Sequence, residues 1–178
     1  MNINKKLLAL SVVLAAISGC VIAKADTHTL SLGYSQGKVT DFKNLRGVTA
    51  KYHYQPDGSL GFISSLTYMG GSKNFDINGY KGNAPIKYYS LLVGPSYHVN
   101  EFVSLYGLVG AAHGKAKGSV TNHAGDYDSG KGNDTVFAYG AGVQIVPAAN
   151  WSIDVGYEGS KFKAVKINGF NIGLGYRF

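Results

Sequence analysis

Phe170-Asn171-Ile172-Gly173-Leu174-Gly175-Tyr176-Arg177-Phe178 closes the chain and decides how the rest is read. Phe170, Ile172, Leu174, Tyr176 and Phe178 are apolar; the residues between them are Gly, Asn or Arg. Strict alternation places every apolar side chain on one face of a β-strand. The chain stops on its last apolar-face residue, an aromatic. That ending is the pattern that outer-membrane barrel-assembly machinery recognises, so these five residues form a candidate assembly signal.

The same period recurs upstream. Trp151, Ile153, Val155 and Tyr157 alternate with Ser152, Asp154, Gly156 and Glu158. Phe137 to Ile145, Tyr89 to Tyr97, Val48 to Tyr54 and Leu30 to Tyr34 repeat it. Leu60 to Met69 and Val103 to His113 are noisier; their neighbours require strands, but their facing is not assigned. Eight segments result, and the face opposite the apolar one is mostly Gly, Ser and Thr. Such a face is a poor water-facing surface. It is a good lining for a narrow barrel, where small residues leave room for a few large polar ones. A soluble eight-stranded barrel with its apolar face inward is therefore disfavoured. The expected fold is all-β, a closed eight-stranded antiparallel transmembrane β-barrel.

The ends and composition agree. Lys5 and Lys6, the apolar run Leu7 to Ile17 and Ala23-Lys24-Ala25 make residues 1–25 a cleavable signal peptide, leaving 26–178 as the barrel domain. Ile17-Ser18-Gly19-Cys20 offers a rival lipoprotein site at the chain's one cysteine. An uncleaved anchor is a second rival, with an apolar run near the lower length limit for a spanning helix. Charged residues make up 15% of the chain, which is low for a soluble domain, and the mean hydropathy of −0.02 is low for a helical membrane protein. Removing Lys5, Lys6 and Lys24 takes the basic residues from 17 to 14 against 10 acids, a net charge of +4. That excess suits anionic surfaces such as lipopolysaccharide or sulfated glycans. No compact basic run points to nucleic acid.

Short and long connections alternate. Gln55-Pro56-Asp57-Gly58-Ser59, His98 to Phe102 and Pro147 to Asn150 are tight turns. Gly37 to Leu45, Gly70 to Pro85, Lys115 to Asp134 and Ser160 to Ile167 read as four longer loops. With both termini in the periplasm, the turns lie there and the four loops are extracellular.

At this point the sequence resembles the Ail/Lom/OmpX family of enterobacterial outer-membrane proteins. The matching stretches are Tyr88-Tyr89-Ser90-Leu91-Leu92-Val93-Gly94-Pro95-Ser96-Tyr97, Val103-Ser104-Leu105-Tyr106-Gly107 and Tyr139-Gly140-Ala141-Gly142-Val143-Gln144. Two more are Asp154-Val155-Gly156-Tyr157-Glu158-Gly159-Ser160 and Gly173-Leu174-Gly175-Tyr176-Arg177-Phe178. The resemblance implies a barrel without an open pore. It also implies surface functions seated in the loops: adhesion to host cells or matrix proteins, invasion, and resistance to complement. Host extracellular-matrix proteins, sulfated glycans and complement regulators are then the expected partners, beside outer-membrane lipids and lipopolysaccharide. The loops match no member closely enough to carry binding residues over.

Two sets of residues are candidates for function. Lys51, His53, Asp154, Glu158 and Arg177 lie on the polar face and would meet inside a narrow barrel; a structural charge network is the expected role, because unpaired charges away from water are costly. Lys38, Phe42, Lys43, Lys73, Phe75, Tyr80, Lys81, Lys115, Lys117, Tyr127, Lys161, Phe162, Lys163 and Lys166 lie in or beside the loops. Lysines interspersed with exposed aromatics can grip sulfated glycans, lipid phosphates or a protein.

Other signals are weak. Asp126, Asp128 and Asp134 hint at calcium, but Gly130 and Lys131 break the EF-hand order. Gly140-x-Gly142 lies on a strand with no helix after it and does not bind a dinucleotide. His113 and His123 near Asp126 and Ser129 have no nucleophile elbow beside them. No cofactor, metal site or catalytic residue is expected. A general envelope-stabilising protein and a lipid A-modifying enzyme are the alternatives to a surface binding protein.

Overall fold

The computed structural model describes residues 26–39, 44–77, 80–121, 127–162 and 166–178. The segment read as a signal peptide, Cys20 included, lies outside them. The strands are β1 (Thr27–Val39), β2 (Leu45–Gln55), β3 (Leu60–Ile77), β4 (Tyr80–Asn100), β5 (Val103–Thr121), β6 (Tyr127–Ala148), β7 (Trp151–Lys161) and β8 (Lys166–Arg177). Each pairs antiparallel with the next, and β8 returns to β1 to close the barrel. Closure pairs Thr29 with Arg177 and Val39 with Ile167. No sheet edge is left in the closed part, as lipid requires.

Alternation sorts the side chains. Leu32 is 65% exposed on the outer wall and its neighbour Ser31 is 3% exposed inside. Leu66, Leu91, Val109, Ile153, Ile172 and Leu174 continue the outer apolar belt. So large an exposed apolar surface marks contact with lipid. Rings gather at its two borders. Tyr68 and Tyr89 touch at 4.9 Å near the extracellular border, in a girdle with Tyr34, Tyr139 and Tyr157. Trp151 meets Tyr176 edge-on at 5.7 Å, and His28 stacks on Phe178 at 6.0 Å, at the periplasmic border.

Each periplasmic turn has its own chemistry. Gly58 takes φ +147°, a conformation that side chains oppose. The Asn100 carboxamide oxygen accepts from the amides of Phe102 and Val103. Asn150 exchanges hydrogen bonds with the backbone of Arg177.

Two of the four extracellular excursions are not loops. Gly70 to Pro85 continues β3 and β4 as a paired ribbon, with Ser72 opposite Pro85 and Ile77 opposite Tyr80. Lys115 to Asp134 likewise continues β5 and β6, with Lys117 opposite Lys131 and Thr121 opposite Tyr127. Strands β3 to β6 hold 18–22 residues each, whereas the other four hold 11–13. The ribbons carry little apolar alternation because they stand above the lipid. The period that reveals a spanning strand is absent from them.

The unassigned segments resolve. Ile63 and Met69 face inward with Ser65 and Thr67, as do Tyr106, Leu108 and Ala112. The lumen therefore holds more than small polar residues. An apolar cluster with Val39, Leu45, Tyr88, Leu92, Ala138 and Ile167 fills much of it, mainly toward the extracellular end.

Candidate functional site

Inside the barrel, β2 carries Lys51 into the lumen. Its ammonium donates to Tyr106 Oη and Asn171 Oδ1, each at 2.6 Å, and to Asp154 Oδ1. Tyr106 Oη also donates to Asp154 Oδ1 at 3.0 Å, and the Lys51 ammonium lies 4.9 Å from the Tyr106 ring centre. One cation thus ties β2 to β5, β7 and β8. Gly142 and Gly156 make this possible: a methyl group on either would collide with Tyr106 Oη, and one on Gly156 also with Lys51 Nζ. Glu158 sits one turn of the network higher. It accepts from Thr67 Oγ1 at 3.1 Å and Tyr88 Oη at 2.6 Å, linking β7 to β3 and β4. Below, His53 Nδ1 meets Gln144 Oε1, and its Nε2 lies 2.6 Å from Ser96 Oγ.

Of the five polar-face residues named from the sequence, Lys51 and Asp154 pair directly, and Glu158 and His53 sit in adjoining networks. Arg177 stands apart at the periplasmic mouth, donating to Thr27 Oγ1 at 3.1 Å. Lys51, His53, Asp154 and Glu158 are all at most 4% exposed, so no external ligand reaches them as they stand. Their chemistry is cross-lumen bracing.

The outer wall presents a second arrangement. Lys38, Lys115, Lys161 and Lys166 are exposed on outward-facing positions just above the tyrosine girdle. Arg46 and Lys87 join them. Neither is among the lysines and aromatics expected from the sequence. Strand parity would have found them, since Arg46 shares its face with Val48, and Lys87 with Tyr89. Register brings several cations together. Lys161 is directly opposite Lys166, Lys87 is opposite Lys115, and Lys38 is opposite Asn168 beside the first pair. Like charges placed directly opposite repel. Among the described residues none of these six forms an ion pair; the one that does form is Lys51–Asp154.

Phe162 departs from its expected role. Expected among the exposed loop aromatics, it is instead partly buried and turned inward, where it meets Tyr88 edge-on at 6.4 Å. Parity accounts for this, because Ser160 two residues earlier faces the lumen. Lys73, Phe75, Tyr80, Lys81, Lys117 and Tyr127 lie on the extracellular ribbons, with Phe75 opposite Gly82 and Asp76 opposite Lys81. Phe42, Lys43 and Lys163 lie outside the described residues, as do His123 and Asp126. His113 Nδ1 is 2.8 Å from Thr135 Oγ1 in an exposed pair. Among the described residues no three His, Cys, Asp or Glu side chains gather as metal ligands. Phe170, Ile172, Leu174, Tyr176 and Phe178 all point into the lipid zone, at 40–62% exposure.

Known proteins share this architecture. The profile of the outer membrane protein beta-barrel domain matches residues 9–178. The virulence membrane protein PagC of Salmonella typhimurium is 46% identical, over 88% of this chain and 90% of that protein. The attachment invasion locus protein of Yersinia enterocolitica is 38% identical, over 98% of this chain and 99% of its own length. The crystal structure of Ail from Yersinia pestis, in complex with the heparin analogue sucrose octasulfate, superposes with a TM-score of 0.73. It is 38% identical and covers 86% of this chain and 99% of its own.

Proposed function

This chain belongs to the Ail/OmpX family of outer-membrane β-barrels, and from that premise we propose that it is a non-enzymatic surface protein that attaches to multivalent anions. The observation that carries the reading is the pair of opposed lysine couples, Lys161–Lys166 and Lys87–Lys115, exposed on the outer wall. Each couple is a local electrostatic penalty that a sulfate or phosphate group removes. Lys38 and Arg46 extend the same belt. Its height, two to four residues beyond the tyrosines or about 7–13 Å along a strand, matches the headgroups of the outer leaflet. The phosphates of lipopolysaccharide are its nearest source of anions.

Lys73, Lys81 and Lys117 lie on the projecting ribbons, and with Lys43 and Lys163 of the sequence they are the further lysines offered to sulfated glycans of a host surface. Attachment, invasion and complement resistance are the biological outcomes in view. The names of the relatives and the heparin-analogue complex of Ail support this reading. The lumen supports the non-enzymatic part, since Lys51, His53, Asp154 and Glu158 are hydrogen-bonded to lumen neighbours and buried. Residues 1–25 serve as the export signal, and the terminal aromatic strand as the assembly signal.

The test uses a rough, adhesin-free bacterium expressing the full chain, with a heat-dependent gel shift to establish folding. Binding of heparin, laminin and fibronectin is compared with an empty-vector control. Heparin binding that falls with added salt supports the reading. A folded barrel that binds none of them contradicts it and moves the role to envelope stabilisation. Lipid A mass spectra with and without expression test the enzymatic alternative directly.

A further inference from the structure

The extracellular end of the lumen is closed by side chains seated in notches made by glycines on facing strands. Phe162 leaves the end of β7 and crosses the mouth toward β4 and β5. Its ring stands where a Cβ on Gly114 would be, with ring carbons 2.9 and 3.1 Å from that position. It also meets Tyr88 of β4. Met69 does the same from β3: its Sδ and Cε lie 3.1 and 3.2 Å from the Cβ position of Gly37 on β1, beside Ile167. Val39 and Leu45 belong to the same buried cluster, against which Phe162 packs. The periplasmic half of the lumen is lined instead by Thr29, His53, Gln55, Ser96, Ser104, Gln144 and Ser152.

We propose that Phe162 and Met69 form an apolar stopper that seals the lumen, with its polar periplasmic half, against the external medium. The two glycines are its seats. The seal lies directly above Tyr88 and Glu158, and water admitted past it would reach the charge network. Hydrophilic solutes are the class of molecule it excludes. Its position explains why a residue that reads as a loop aromatic is turned away from solvent.

The mature chain offers a clean reporter, because the one cysteine of the full sequence is Cys20. Ala112 is fully buried on β5, one inward position below Gly114. The full chain with Cys20→Ser and Ala112→Cys is folded into lipid nanodiscs and treated with a small cationic methanethiosulfonate; heat-dependent gel shift verifies folding. Lys115→Cys, on the outer wall, serves as the fast-reacting control. With Phe162 in place, or with Phe162→Leu, Ala112→Cys is expected to resist labelling. Phe162→Ala is expected to speed labelling about tenfold or more, and Phe162→Ala/Met69→Ala further, because access sets the rate for a fixed thiol. Gly114→Val, which evicts the ring while leaving it in the sequence, should act like Phe162→Ala. Rapid labelling of Ala112→Cys in the otherwise unchanged chain overturns the proposal. So does unchanged protection in folded Phe162→Ala; where the double variant does not fold, the single variant carries the decision.

Discussion

Lys51 and Lys161 are the same residue in opposite circumstances. Lys51 is 3% exposed, and its ammonium is saturated by three acceptors on three other strands. Lys161 is exposed, faces another lysine across the strand pair and has no carboxylate among the described residues. The first cation is committed to holding the barrel. The second is left available. Charge inside this protein is structural because the low-dielectric lumen forces pairing. On the proposed reading, charge on the rim is functional, because water and salt let it stay unpaired until a better anion arrives.

That contrast is open to test, beginning with the interior. Lys51→Met strands Asp154 without its cation, and breaking a buried pair in this way costs about 3–5 kcal/mol. Urea unfolding in micelles should show the loss, while binding of sucrose octasulfate should be unchanged. If the variant keeps full stability, the network is not the brace described here. Lys51→Met/Asp154→Leu should recover much of the loss, since a buried pair replaced by apolar groups is often close to neutral. Tyr88→Phe should cost less, about 1–3 kcal/mol, because Glu158 keeps Thr67 as a donor but loses its shorter hydrogen bond. The rim should respond in the reverse sense. Lys161→Gln/Lys166→Gln removes a repulsion, so stability should stay level or rise by about 0.2–1 kcal/mol, while affinity for sulfated ligands falls. A clear loss of stability in that variant would mean that the couple is structural and would dissolve the distinction.

How much of this was legible in the sequence depends on strand parity. Phe170 to Phe178 showed its lipid face outright, because nothing interrupts the alternation. The same parity put Lys51, Asp154 and Glu158 on the lumen face. It could not say which of them meet. Lys51 and Asp154 are separated by 103 positions, and their contact is set by the stagger of strands around the closed barrel. Phe162 is not legible from the apolar period, which ends at Tyr157 and Glu158, although the lumen-facing count runs on through Ser160. Continued two residues further, it turns that ring inward. Arg46 and Lys87 were missed for a related reason: they sit at strand ends, among residues read as loop or left unassigned. The ribbons were read as loops because they offer no apolar period. Above the membrane a strand pair is held by backbone bonds alone, and its side chains need not alternate.

The opposed rim lysines are proposed to bind multivalent anions. The most direct test is titration calorimetry with sucrose octasulfate on the folded chain in phospholipid nanodiscs free of lipopolysaccharide. The wild type is compared with Lys87→Gln/Lys115→Gln/Lys161→Gln/Lys166→Gln. Exposed ion pairs contribute about 0.2–1 kcal/mol each, so losing four, about 0.8–4 kcal/mol, should weaken binding about fourfold or more, about 1.4 kcal/mol being one factor of ten. The difference should shrink as salt is raised. Equal affinity for the two folded proteins would contradict the claim and leave the belt without a ligand.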